Sequence, residues 1–165
     1  MILNDEQIKR LVTGIGLVKD YIDLDVQLQS NGFDVTIQEI YKLNGKGVLD
    51  FDNSKRKLPE RELIEFDKNG KVKLKKGAYI IKINEVVNIP KDMCALIFPR
   101  SSLLRMGCQL YTAVWDAGYT GKGEILLEVY NPSTLYKNAR IGQIIFLKLI
   151  SNVDKGYDGI YQNKE

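Results

Sequence analysis

Asn31-Gly32-Phe33-Asp34-Val35-Thr36-Ile37 carries the decisive local pattern of this chain. Asn-Gly is a turn dipeptide, and Phe33, Val35 and Ile37 then alternate with polar neighbours. Side chains two apart share one face of an extended strand, so this period of two predicts a strand with one apolar side.

The same period recurs downstream. Ile81 and Ile83 alternate after Gly77-Ala78, and Ala95-Leu96-Ile97-Phe98 forms a short apolar run stopped by Pro99. Ile125, Leu127 and Val129 alternate until Asn131-Pro132, and Ile144 to Ile150 is apolar enough for a central strand. Turn signals fall between them at Asn44-Gly45, Asn69-Gly70, Gly118, Gly121 and Gly123. Many short strands punctuated in this way predict an all-β sandwich or barrel. The N-terminus differs: Asn4 and Gln7 have capping-box spacing, and Ile8, Leu11 and Val12 form a helical stripe. Gly14 and Gly16 predict its end, so residues 1–16 read as a short helix.

The 165 residues fit a single domain spanning 1–165. Ser54 to Glu65 is densely charged and predicts an exposed excursion, while Val153 to Glu165 is a polar tail around Tyr157 and Tyr161. That tail is either a frayed end or a segment that orders on a ligand. A net charge of +3 with scattered basic residues gives no nucleic-acid footprint. Lys71, Lys73, Lys75 and Lys76 read as a solvated strand edge. Neither a signal core nor a membrane-length apolar run is present, and Cys94 and Cys108 read as small buried hydrophobes; a cytoplasmic protein is expected.

The chain has no histidine. Ser-His-Asp and Cys-His nucleophiles are thereby excluded, as is a zinc deaminase site, which needs a Cys/His cluster with CxxC. A P-loop is absent too. Chemistry must therefore rest on carboxylates, hydroxyls, tyrosines and basic groups, with or without a hard metal. Pro99-Arg100-Ser101-Ser102-Leu103-Leu104-Arg105-Met106-Gly107 sets two hydroxyls and two guanidinium groups beside a core strand. These suit phosphate oxygens, although Ser101 or Ser102 could equally cap a helix. Tyr111 to Gly121 embeds Asp116 in an apolar and aromatic stretch, either as a working carboxylate or as an acceptor for turn amides.

Taken in order, these segments resemble the trimeric dUTPase and dCTP deaminase superfamily, and most of all its archaeal, deaminase-like dUTPase branch. PRSSLLRMG resembles the shared phosphate segment, and Asn31 to Val35 resembles the first motif, GxDL. Asp116-Ala117-Gly118-Tyr119-Thr120-Gly121 is similar to the third motif, and Ala139 to Ile144 to the fourth, RIAQL. The tail ending in Tyr161-Gln162 is similar to that of the deaminase-like branch. The resemblance implies a distorted β-barrel or jelly-roll-like dUTPase fold, a homotrimer with active sites between subunits, and no nucleic-acid or membrane partner.

It also implies roles. Arg100, Ser101, Ser102 and Arg105 would face the triphosphate of dUTP, and Gln143 would brace the phosphates or their loop. Asp34 would sit near Mg²⁺ through water. Tyr119 would pack under the deoxyribose, and Tyr161, with Gln162 beside it, would close over the base as residues 153–165 cover the site. Main-chain groups around Thr112 and Ala113 would read uracil. Asp116 would deprotonate the water that attacks the α-phosphorus, releasing dUMP and pyrophosphate. The rival is dCTP deamination, alone or with dUTP hydrolysis, using Glu128 in the deaminase-like string Leu126-Leu127-Glu128-Val129-Tyr130-Asn131. Strand alternation gives Glu128 a plain outward-facing role instead. A non-catalytic nucleotide sensor is a further alternative, disfavoured by the presence of Asp116.

Overall fold

Inward-facing apolar residues curl the strands into a nearly closed, barrel-like sheet. The computed structural model describes residues 1–163. Its first half contains α1 (Asp5–Ile15), β1 (Val18–Lys19), α2 (Leu24–Gln27), β2 (Leu28–Gln29), β3 (Gly32–Asn44), β4 (Glu60–Leu63) and β5 (Lys71–Leu74). The second contains β6 (Gly77–Asn88), β7 (Met93–Pro99), α3 (Ser101–Arg105), β8 (Cys108–Tyr111), β9 (Thr120–Val129), β10 (Ser133–Tyr136) and β11 (Arg140–Lys148). The main path of the sheet is β7-β11-β3-β6-β9-β8; β1 joins it at β6, and β2 and β4 join at β3. After β8 the chain returns to β7, where Ala95 and Trp115 exchange backbone hydrogen bonds of 2.9 and 3.0 Å. That bridge nearly closes the ring.

Phe33, Val35, Ile37, Ile81, Ile83, Ile125, Leu127, Ile144 and Phe146 fill the interior, as their alternation predicts. Helix α1 is held by a complete capping box between Asn4 and Gln7. It runs through Gly14 and stops at Gly16, whose φ of 68° is the left-handed conformation that glycine adopts without strain. Ile8 and Val12 are its buried face. Residues 54–63 of the charged excursion are mostly exposed and return as β4 against β3. Among the described residues no helix is long and apolar enough to cross a membrane.

The start of β3 departs from simple alternation. Asp34 and Thr36, on the face expected to meet water, are buried as completely as their apolar neighbours. Here β3 changes partners, pairing with β11 through Thr36 and with β6 from Ile37 onward. Leaving β6 deprives the Thr36 N–H of a ladder acceptor. Glu85, on β6, supplies one. Its Oε2 accepts the Thr36 N–H at 3.0 Å, and its Oε1 accepts the Thr36 hydroxyl at 2.6 Å.

Burial pushes the Glu85 carboxyl above the ordinary value of 4.5, and the bonds from Thr36 and Gln27 oppose that rise. A group that holds its proton more tightly when folded adds stability as pH falls through its folded pKa; above that pH the contribution is absent. Glu85→Gln removes this titration. Urea unfolding across a pH series should therefore show the wild-type-minus-variant stability difference rising as pH falls from neutral towards 4.5. A flat difference would mean that Glu85 does not titrate differently in the two states.

Candidate active site

Two clusters gather the residues that carry chemistry. The first begins where β7 ends. Pro99 stops the strand, Arg100 is the N-cap of α3, and Ser101 and Ser102 open its first turn. No side chain caps this helix, which corrects the alternative in which Ser101 or Ser102 does so. Both serines are exposed, and residues in a first helical turn have N–H groups without an intrahelical acceptor. Arg105 lies exposed in the last turn.

Asp34 organises this cluster from beneath. Its Oδ2 lies 3.1 Å from Arg100 Nε and 3.2 Å from Arg140 Nη1. The carboxylate is buried, while both guanidinium groups remain about one-third exposed, at 31% and 32%. Burial raises the Asp34 carboxyl above its ordinary range, and the two arginines and Gln143 pull the other way. Gln143 stands opposite Asp34 in the pairing of β11 with β3. Asp34 is thus an anchor for two cations. Charge neutralisation by the two arginines offsets the cost of burying this carboxylate.

The second cluster is a cavity of about 470 Å³ bounded by the loop after β8, the outer face of β6 and β9, and the tail. Its wall includes Ala113, Val114, Trp115, Asp116, Tyr119, Tyr157 and Tyr161. Such a volume suits a nucleoside-sized ligand. Trp115 is buried over Gly123, where a Cβ would come within 2.2 Å of the indole. The Tyr119 ring lies 6.0 Å from Trp115 and 5.4 Å from Tyr157, edge to face with the latter. Its hydroxyl donates to the Lys122 carbonyl at 3.0 Å. Burial, Tyr157 and Glu124 push its pKa up to about 12, so it stays a neutral donor. Asp116 is exposed on this wall rather than sunk in apolar surroundings, so it is free to meet a ligand.

The tail crosses the cavity on its own chain. Tyr157 N–H donates to the Ala117 carbonyl at 2.8 Å, and Asn163 N–H to the Thr120 carbonyl at 2.7 Å. Gln162 clamps the turn between them: Oε1 accepts the Thr120 N–H at 3.1 Å, and Nε2 donates to the Gly118 carbonyl at 2.9 Å. Gly118, with φ of +86°, faces Gly156 so closely that a Cβ would stand 2.9 Å from its Cα. Gln162 therefore touches the protein, whereas Tyr161 lines the cavity. Lys164 and Glu165 of the expected tail lie outside the described residues.

The remaining expected residues fall elsewhere. Ala113 lines the cavity, but Thr112 turns away and donates to the Ile97 carbonyl at 3.4 Å. Glu128 is absent from the lining and accepts the Tyr130 hydroxyl at 2.8 Å. Arg100, Ser101, Ser102, Arg105 and Gln143 do not border this cavity either. Arg140, Gln27 and Glu85 were not singled out from sequence. A signal for Glu85 existed: it takes the inward slot that follows Ile81 and Ile83. Among the described residues no cluster of three or more His, Cys, Asp or Glu could hold a metal ion.

A barrel of short strands with an aromatic cavity and a separate cationic helix start defines a class of β-barrel proteins suited to nucleotides. The dCTP deaminase-like family pattern matches residues 2–149, and the chain belongs to that family. A probable deoxyuridine 5′-triphosphate nucleotidohydrolase of Archaeoglobus fulgidus is 46% identical over 165 residues, covering 99% of this chain and 96% of its own. A deoxyuridine 5′-triphosphate nucleotidohydrolase of Methanocaldococcus jannaschii is 42% identical over 157 residues, covering 93% of this chain and 100% of its own. The crystal structure of a 2′-deoxycytidine 5′-triphosphate deaminase from Agrobacterium tumefaciens shares the fold, with a TM-score of 0.64 at 24% identity. That alignment covers 88% of this chain but only 47% of the deaminase chain.

Gln162→Ala removes two bonds from the turn that carries Asp116 and Tyr119. A net loss of about 1 kcal/mol per bond predicts roughly tenfold or faster amide exchange at Thr120, with β3 unaffected, in hydrogen-exchange NMR. Unchanged protection at Thr120 would mean the tail does not hold the turn.

Proposed function

We propose that the protein is a dUTP nucleotidohydrolase that converts Mg·dUTP to dUMP and pyrophosphate. One observation carries this reading: an exposed carboxylate, Asp116, stands on the wall of a nucleoside-sized aromatic cavity, in a chain whose near-full-length relatives bear that name. The uracil and deoxyribose fit the cavity, with Tyr119 packed against the sugar and Tyr161 over the base. Uracil presents an O4 acceptor and an N3–H donor, and cytosine reverses both. Main-chain groups around Ala113 that pair with uracil would leave cytosine unsatisfied, the kind of penalty that gives strong discrimination.

Asp116 accepts a proton from water as the water oxygen bonds to the α-phosphorus. The bond from that phosphorus to the bridging oxygen breaks, and pyrophosphate leaves. Arg100, Arg105 and the hydroxyls and N–H groups of Ser101 and Ser102 receive the charge that grows on the phosphate oxygens. When bound, Mg²⁺ supplies further charge neutralisation on the triphosphate. Deamination is the weaker reading because Glu128 lies off the cavity and is engaged by Tyr130.

The lining of the cavity that holds Asp116 includes none of Arg100, Ser101, Ser102 or Arg105. This supports a homotrimer in which Asp116 of one subunit meets Arg100 and Ser101 of a neighbour. The reactants are small and anionic and the two thiols are free, so we assign the enzyme to the cytoplasm, without nucleic-acid or membrane partners.

Two tests follow. Asp116→Asn should abolish pyrophosphate release from Mg·dUTP while leaving dUTP affinity within about twofold; full turnover in this variant removes Asp116 from the chemistry. Mixing inactive Asp116→Asn with inactive Arg100→Ala, then exchanging subunits, should restore about one quarter of wild-type activity, since that share of inter-subunit sites regains both groups. No recovery after verified exchange would place each site within one subunit.

A further inference from the structure

Glu85 is a charged residue in a core slot, and the mechanism above does not use it. It is fully buried, and the polar side chains next to it, Gln27, Thr36 and Asp34, are each 1% exposed. Buried carboxylates are costly, and an apolar residue at an inward strand position usually stabilises at least as well. The bonds beyond Glu85 indicate what this cost secures.

Gln27, the last residue of α2, donates through Nε2 to Glu85 Oε1 at 2.7 Å and to the Asp34 carbonyl at 2.9 Å. Its Oε1 accepts the N–H groups of Ile22 and Asp23 at 2.7 and 3.0 Å. One amide thus locks the α2 turn to the main chain of β3 at the residue whose side chain holds the two arginines. The adjoining Val26 carbonyl accepts Arg140 Nη1 at 2.8 Å, and the same Nη1 reaches Asp34. Arg100 is tied to this assembly twice, through Asp34 and through the Arg140 carbonyl at 3.4 Å. Thr36 closes the network on the far side, accepting Asn84 Nδ2 at 2.9 Å while donating to Glu85. A continuous set of hydrogen bonds therefore runs from the barrel core to the two partly exposed guanidinium groups.

We propose that Glu85 and Gln27 are positioning residues for the phosphate subsite: they fix the main chain at Val26 and Asp34, from which Arg140 and Arg100 are aimed. This rests on the assignment of Arg100 to the triphosphate. A guanidinium aimed by a rigid carboxylate meets phosphate without reorganising, so loosening the support weakens anion contact and leaves the aromatic cavity intact. Supporting residues of this kind typically change affinity by 10- to 100-fold.

The test uses the full chain with Gln27→Leu and Thr36→Val, each of which cuts one link, and Thr36→Ser, which keeps the hydroxyl. Calorimetry with inorganic tripolyphosphate probes the anion subsite alone, and deoxyuridine probes the cavity alone. Expected for Gln27→Leu and Thr36→Val is roughly tenfold weaker tripolyphosphate binding and a matching rise in KM for dUTP. Deoxyuridine affinity should stay within about twofold of wild type, as should every readout for Thr36→Ser, whereas kcat/KM for dUTP falls with tripolyphosphate affinity because Arg100 also meets the charge that develops in the transition state. If Gln27→Leu does not fold, Thr36→Val carries the same comparison. Equal losses for tripolyphosphate and deoxyuridine, or no loss for either in folded variants, overturn the proposal. Wild type that binds tripolyphosphate without hydrolysing dUTP refutes the assigned activity alone, since the tripolyphosphate comparison still decides the role of the network.

Discussion

Asp34 Oδ2 holds two cations that reach it from different parts of the chain, one at the start of α3 and one at the start of β11. Two guanidinium groups close together repel, and only a shared anion makes the arrangement tolerable in a partly buried place. The carboxylate in turn would be untenable in the core without them. Each side of this pairing therefore depends on the other. The register of β3 against β11, with Asp34 opposite Gln143 and Thr36 opposite Arg140, brings the partners together. A one-residue slip would turn Asp34 to the opposite face and leave Arg100 without its anchor.

The aromatic cavity is built on a different principle. Its shape comes from close packing around three glycines rather than from charge. Trp115 lies where Gly123 leaves room for the indole, and the tail reaches the turn because Gly118 and Gly156 let two backbones touch. Tyr119 sits between these contacts, its hydroxyl engaged and its ring flanked by Trp115 and Tyr157. Two exposed carboxylates line that wall, and Glu124 is held by Arg61 at 2.6 Å while Asp116 forms no ion pair among the described residues. A rigid apolar frame with one open acid is a suitable setting for a general base, since the frame fixes distance while the acid remains able to take a proton.

Much of the fold was legible because burial obeys a simple period. Phe33, Val35 and Ile37, then Ile81 and Ile83, then Ile125, Leu127 and Val129 all face inward, and Asn4, Gln7 and Gly16 bound the helix through local bonds alone. Local rules failed where a residue answers to a partner distant in sequence. Asp34 reads as an outward polar residue until Arg100 and Arg140 arrive from 66 and 106 positions away. Glu85 breaks alternation in a way visible along the chain, but its partner Thr36 belongs to a strand 49 residues earlier. The serines of the phosphate segment were ambiguous for another reason. The same hydroxyls that cap helices also bind anions, and only the observed N-cap at Arg100 separates the two uses.

The separation of the two clusters has a consequence for assembly. A triphosphate is long, charged at one end and aromatic at the other, so a protein can bind it either in one deep groove or across two surfaces. Here an aromatic cavity lies in one region and the cations in another, and the lining of that cavity includes none of Arg100, Ser101, Ser102 or Arg105. Closing that gap within one chain would require moving α3, after β7, and the Asp116 loop, after β8, out of the frame that the Ala95–Trp115 bridge fixes. The proposed inter-subunit site needs no such distortion, and subunit exchange between single-site variants reports directly on it.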